Sequence, residues 1–139
     1  MAKSDRSTDT QYGALPYRFG RHGVEILLIT SRETHRWVIP KGWPMTGKKP
    51  YRVAEIEAFE EAGVRGVVSK RPTGVYPYAK LLPDGENRIC LVVVFPLRVT
   101  LEKVEWRERT KRERHWFPQD EAAELVDEGS LAQIIEGWR

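Results

Sequence analysis

The stretch GWPMTGKKPYRVAEIEAFEEAGV, Gly42 to Val64, sets a basic loop directly against an acidic helix. Together with Lys41, the loop up to Pro50 carries three lysines and two glycines. Ammonium groups and closely approaching backbone amides are thus both on offer to phosphate oxygens. Pro50 suits the first turn of a helix, where its missing N–H would have no partner anyway, and Gly63 suits the residue just past the end. The interval predicts a helix from Pro50 to about Ala62. On it, Glu57, Glu60 and Glu61 are spaced i, i+3, i+4, which places three carboxylates within an arc of about 100°. Like charges so placed repel by about 0.2–0.5 kcal/mol per pair. Solvation of an acidic face would relieve that repulsion. A hard divalent cation such as Mg²⁺ or Mn²⁺ would relieve it as well, taking oxygen ligands while keeping waters and substrate phosphates in its shell.

Outward from this helix the chain reads as strands. On the N-terminal side, Tyr12 to Phe19 and Val24 to Thr30 are strand-like runs punctuated by Gly20 and Gly23, and Trp37-Val38-Ile39 is a short third strand stopped by Pro40. On the C-terminal side, strands are expected over Gly66 to Ser69, Gly74 to Leu82, Ile89 to Val99 and around His115-Trp116-Phe117, with a turn at Pro83-Asp84-Gly85. Two helical segments, Gln119 to Asp127 and Leu131 to Trp138, close the sequence. Residues 1–10 are expected to be a disordered tail and 11–139 a single domain. Strands, one embedded helix, more strands and terminal helices predict a layered α/β (α+β) domain with a mixed β-sheet.

Composition narrows the function classes. A chain of 139 residues with 40% hydrophobic and 31% charged residues fits one compact core. A net charge of +3 suits local binding of an anionic ligand and not a nucleic-acid coat. The basic run Arg107 to Arg114 is interleaved with Glu108 and Glu113, which reads as a solvated strand or loop rather than an RNA-binding arm. Cys90 is the only cysteine, which excludes an intrachain disulfide and a thiolate metal site, and its setting between Ile89 and Phe95 reads as a buried small hydrophobe. That apolar run is broken by Pro96 and is too short to span a bilayer. Met1 to Thr10 lacks a signal-peptide pattern, so a cytoplasmic, non-membrane protein is expected. His22, His35 and His115 have no ligand spacing.

The 23 residues from Gly42 to Val64 resemble the Nudix box, G-x5-E-x7-R-E-U-x-E-E-x-G-U, with Gly42, Glu57, Ala58, Glu60, Glu61, Gly63 and Val64 on required positions. Ser31-Arg32 with Arg36 to Pro40, and Arg112 to Phe117 with Glu121-Ala122, resemble the flanking segments of the diphosphoinositol-polyphosphate and diadenosine-polyphosphate hydrolase branch. The resemblance covers about residues 12–128 and implies a Nudix-type α/β/α sandwich. It implies a Mg²⁺-dependent (or Mn²⁺-dependent) phosphoanhydride hydrolase, with Glu57 and Glu61 as principal metal ligands and Glu60 orienting or deprotonating the attacking water. Two positions depart from the box: Lys48 stands where it has Glu, and Ile56 where it has Arg.

Substrate contacts are expected from Ser31, Arg32, Lys41 and the amide of Gly42, with Trp43 as a ligand-facing aromatic and Arg88 and Arg112 as further candidates. Among the other aromatics, Trp37 and Tyr76 read as core or sheet packing. The expected partner is a phosphorylated small molecule: a dinucleoside polyphosphate, an inositol pyrophosphate, ADP-ribose or a nucleoside triphosphate; the basic loop favours ligands rich in phosphate without choosing among them, and the resemblance favours the first two. A monomer or homodimer is expected. Lys48 and Ile56 keep open a second reading, a catalytically weakened Nudix fold that binds or regulates. For a distal acid completing the metal shell, Glu102, Glu105, Glu108 and Glu113 stand equal.

Overall fold

A computed structural model describes residues 8–138. Strand β1 runs from Thr8 to Gly20, β2 from Gly23 to Thr30, β3 over Trp37–Val38 and β4 over Lys41–Gly42. The embedded helix α1 covers Pro50–Glu57 and continues as a π-helical segment, π1, over Ala58–Ala62. Strands β5 (Val64–Val68), β6 (Gly74–Leu81), β7 (Asn87–Glu102) and β8 (Arg114–Pro118) follow, then helices α2 (Gln119–Leu125) and α3 (Gly129–Gly137).

The elements fall where glycine, proline and apolar periodicity place them, with four corrections. Residues 8–10, expected in a disordered tail, belong to β1, which pairs at Thr8, Asp9 and Thr10 with Ile89, Cys90 and Leu91; residues 1–7 of that expected tail lie outside the described residues. Lys41–Gly42, expected in the loop, forms a two-residue strand against Tyr12 and Gly13 of β1. The acidic helix is α-helical only to Glu57. The third difference in extent is β7, which runs on from the expected end at Val99 to Glu102 by pairing with Val64 and Arg65.

The sheet is mixed, in the order β3-β2-β1-β7-β5, with β4 on β1, β6 on β7 and β8 on β2. Only β1 and β7 run parallel; the other pairings are antiparallel. Because successive strand residues point to opposite faces, β2 feeds two cores. Ile26 and Leu28 pack toward α2 and α3 with Leu15, Val92, Leu131 and Ile135. Leu27 and Ile29 pack toward the embedded helix with Ala14, Phe95 and Leu97. On that helix, Ala54, Ala58 and Ala62 are fully buried at four-residue spacing, so small side chains let its axis lie close to the sheet. The result is the α/β/α sandwich. Cys90 is buried, as expected from its apolar run, and no described helix is long and apolar enough to cross a membrane.

Leu131 on α3 is fully buried, so Leu131→Ala is expected to lower unfolding free energy by about 2–5 kcal/mol. Leu81 is 68% exposed at the end of β6, and Leu81→Ser should shift it by less than about 0.5 kcal/mol. Urea titration measures both; equal losses would contradict the placing of α3 in the core.

Candidate functional site

A cleft of about 360 Å³ opens at the junction of the embedded helix with strands β1, β4 and β6. Its lining joins Glu57 and Glu61 of the helix to Gln11, Lys41, Gly42, Trp43, Tyr78 and Lys80, with Ser31, Arg32 and Arg112 contributed by the segments flanking β2 and β8. Four side chains are cationic and converge on the cleft: Arg32, Lys41, Lys80 and Arg112. In a concave, partly desolvated setting they act on an anion more strongly than the same charges on open surface.

The carboxylates of Glu57 and Glu61 lie within hydrogen-bonding reach of each other. The π-helical turn explains the alignment. An i→i+5 turn advances by less than about 100° per residue. Residues four apart, Glu57 and Glu61, therefore come nearer to superposition, and residues three apart, Glu57 and Glu60, swing away from each other. Glu60 correspondingly leaves the cleft. Its carboxylate lies 3.7 Å from Arg107 and lines a separate cavity with Lys48, Arg52, Ile56, Phe59 and Arg65. The two departures from the box, Lys48 and Ile56, thus share that outer cavity rather than the cleft.

Gly42 is what lets β4 approach. A Cβ there would stand 2.1 Å from Glu57 Oε2, so only glycine leaves the carboxylate its place. Beside it the Lys41 amide donates to Glu61 Oε1 at 3.3 Å. The Lys41 side chain lies with its Nζ 4.8 Å from the centre of the Tyr78 ring. Tyr78 in turn donates its hydroxyl to Gln11 Oε1 at 2.6 Å.

Across the cleft, Arg112 is fixed by three groups. Its Nε donates to Glu108 Oε1 at 2.6 Å and its Nη1 to the Thr30 carbonyl at 3.1 Å. Its Nη2 faces Glu61 Oε2 at 4.0 Å.

These surroundings set the protonation of the pair. Burial pushes the Glu61 carboxyl up to about 8, the opposing pull of Arg112 notwithstanding, and contact with Glu57 pushes the same way. Burial also raises Glu57, where nearby Glu60 and Glu108 add to the shift and the hydrogen bond with Glu61 opposes it. Burial lowers Lys41, against the attraction of Glu61. Two carboxylates in contact need either a shared proton or a cation between them. Their hard oxygen donors fit Mg²⁺ or Mn²⁺. No group of three His, Cys, Asp or Glu stands close enough to hold a metal among the described residues; a two-carboxylate site suits an ion that keeps waters and phosphate oxygens as its other ligands.

Of the residues expected from sequence, the structure brings together Ser31, Arg32, Lys41, Gly42, Trp43, Glu57, Glu61 and Arg112. Glu60 and Arg88 are not among them. Arg88 sits opposite Lys80 on β7, its Nη1 3.4 Å from Asp9, and does not line the cleft. Trp37 packs edge-on against Phe117 and Tyr76 is buried, as expected. Gln11 and Lys80 were not anticipated. Lys80 shares a strand face with Tyr76 and Tyr78, a signal that β6 carried once its buried side was known. Among the four acids that stood equal, Glu108 is the one joined to Arg112 and acting on Glu57.

In the metal-free protein, a native carboxyl raised above its unfolded value of 4.5 to about 8 contributes stability that is present below pH 4.5 and is lost as pH rises toward 8. Glu61→Gln should therefore flatten the fall in melting temperature between those limits, and saturating Mn²⁺ should do the same in the parent chain. A parallel pH profile in the variant would contradict the buried placement of Glu61. Separately, Gly42→Ala should weaken Mn²⁺ binding by about 10–100-fold in calorimetry with the circular-dichroism spectrum retained; unchanged affinity would mean that Glu57 takes no part.

Comparison with known proteins bears on the family and the fold. Residues 10–136 match the NUDIX domain family. The chain is 33% identical to "Nudix hydrolase 12, mitochondrial" of Arabidopsis thaliana, over 89% of this chain and 69% of that protein. It is 30% identical to "Diphosphoinositol polyphosphate phosphohydrolase 3-alpha" of Mus musculus, over 81% of this chain and 65% of that protein. The chain thus spans about two thirds of the length of these relatives. Among solved structures, the Ap4A hydrolase of C. elegans superposes with a TM-score of 0.65 at 17% identity, covering 93% of this chain and 94% of that one. A NUDIX hydrolase from Nitrosomonas europaea gives 0.70 at 18%, covering 93% and 86%. At these identities the structures speak for the fold alone.

Proposed function

The chain belongs to the Nudix family, and on that premise we propose that it is a Mg²⁺-dependent pyrophosphohydrolase acting on a phosphate-rich small molecule of the dinucleoside-polyphosphate or inositol-pyrophosphate type. The observation that carries the reading is the Glu57–Glu61 pair facing four cationic side chains across one cleft. That arrangement suits a ligand holding several negative charges in a short span. Each anionic phosphate can meet a guanidinium, an ammonium or a backbone amide, and a weakly charged metabolite would leave them unmatched.

Glu57 and Glu61 would hold the divalent ion, which when bound supplies charge neutralisation at the phosphate oxygens and a more acidic water. The protein's own part is positioning and electrostatics, the main components of phosphoryl-transfer catalysis. Arg112, tied to Glu108 and the Thr30 carbonyl, presents a fixed guanidinium to developing charge. Lys41 adds a partly desolvated ammonium beside the pair, and the backbone at Gly42 approaches without a side chain in the way. Tyr78 and the exposed Trp43 line the cleft as aromatic surfaces against which the remainder of a ligand can lie. Glu108 is the carboxylate nearest in role to a distal acid. For the water-activating step, Glu60 faces Arg107 in this structure, so Glu57, which lines the cleft, is better placed to act on a water there.

Phosphate release with Mg²⁺ is to be measured across diadenosine polyphosphates, inositol pyrophosphates, ADP-ribose and nucleoside triphosphates. Turnover is expected on at least one of the first two classes and should fall by about 10²–10⁴-fold in Glu61→Gln. Glu60→Gln should fall much less. Binding by calorimetry without turnover on any of the four would instead support the weakened, ligand-binding reading. A Glu60→Gln loss as deep as that of Glu61→Gln would reassign the base to Glu60.

A further inference from the structure

The C-terminal end of the acidic helix is capped by a distant segment, and its four last carbonyls account for the geometry. A helix leaves its final carbonyls without intrahelical donors. Here the Glu60 carbonyl accepts from the Glu108 amide at 3.2 Å, and the Gly63 carbonyl accepts from the Lys103 amide at 2.8 Å. The Glu61 carbonyl accepts from the Trp106 indole N–H at 3.1 Å. The Ala62 carbonyl accepts from Arg114 Nη1 at 2.8 Å, and Arg114 Nη2 reaches back to the Lys103 carbonyl at 2.7 Å.

The two side chains also hold each other. The Arg114 guanidinium lies 3.9 Å from the centre of the Trp106 ring, a stacking that a planar guanidinium sustains and an ammonium does not. The fit against the helix is tight. A Cβ on Gly63 would come within 2.6 Å of the Trp106 ring, and Gly63 also takes φ 69°, a left-handed conformation that glycine adopts freely.

We propose that Trp106 and Arg114 are positioning residues for the carboxylate pair, acting through the Glu61 and Ala62 carbonyls to fix the register of the π-helical turn. The turn is where the alignment of Glu57 with Glu61 is decided, and an i→i+5 turn is not the form a helix takes unaided. The capping segment holds its terminal carbonyls at the spacing that the wider turn requires. The same segment carries Glu108 and Arg112, so one stretch of chain sets both the end of the helix and the groups opposite Glu61. In its consequence for activity the proposal rests on the hydrolase reading; in its structural content it does not.

The test uses the full chain with Trp106→Phe, which keeps the ring and removes the N–H donor, Arg114→Met, which removes the fork and the charge, and Arg114→Lys. Three quantities are read: Mn²⁺ affinity by calorimetry, kcat and KM on the substrate found above, and amide hydrogen exchange in the metal-free protein at Lys41, whose N–H is accepted by Glu61. For Trp106→Phe and Arg114→Met, Mn²⁺ affinity and kcat are expected to fall by about 10-fold or more with KM changed by less than about 2-fold. Lys41 exchange should accelerate by a similar factor while amides of α3 keep their protection. Arg114→Lys should recover part of each loss. Unchanged Lys41 exchange and Mn²⁺ affinity would overturn the proposal, as would a uniform acceleration of all amides, which marks a merely structural role. Should the parent chain show neither Mn²⁺ binding nor turnover, the hydrolase reading fails, and Lys41 exchange alone still decides the positioning role.

Discussion

Contact between the Glu57 and Glu61 carboxylates is opposed by burial and, when both are ionised, by like charge, yet the surrounding chain is organised to keep them together. A wider helical turn aligns them, Gly42 leaves the space into which Glu57 fits, the Lys41 amide donates to Glu61, and Arg112 faces Glu61 from the other wall. Each of these supports has its own anchor: β4 in its pairing with β1, Arg112 in Glu108 and the Thr30 carbonyl. The buried Ala54, Ala58 and Ala62 bring the helix near enough to the sheet for its carboxylates to reach the β4 backbone. Instability at the pair is thus held in place by packing that extends through one whole face of the sheet.

Much of this was written in local chemistry. Pro50 and Gly63 marked the ends of the helix, glycines and prolines separated the strands, and the acidic spacing singled out Glu57, Glu60 and Glu61 together. These signals are short-range: they depend on backbone preferences and on periodicities within a few residues. Glu60 was misplaced because the angular argument assumed α-helical advance through Ala62, and nothing in the composition AFEEA distinguishes a π turn from an α turn. Gln11 and Lys80 lie on strands, where membership of the cleft depends on register, a property fixed by pairing with other strands. Glu108 could not be chosen among its neighbours because a loop gives no periodicity to rank them. Trp106 and Arg114 reach the helix across 45 and 52 residues of sequence, and no local pattern announces such a contact.

The two faces of the sheet carry different duties. Helices α2 and α3 cover large aliphatic groups around Tyr76 and themselves supply none of the groups that line the cleft, although Ile39 and Tyr78 of the core beneath them do line it. The two helices are stabilising mass. The opposite face trades bulk for proximity through its alanines, and there the backbone comes close enough for carboxylates to be shaped by amides.

The β6–β7 hairpin, finally, has a consequence for how the chain tolerates change. Tyr78 and Lys80 enter the cleft from β6, which pairs with β7 alone, whereas the acidic helix is gripped at its start, its face and its end. One wall of the cleft can therefore accept new side chains with little disturbance to its support, and the other cannot. Variation that alters what fits the cleft has a permissive edge on which to accumulate, while the pair of acids stays mounted on the part of the molecule least free to drift.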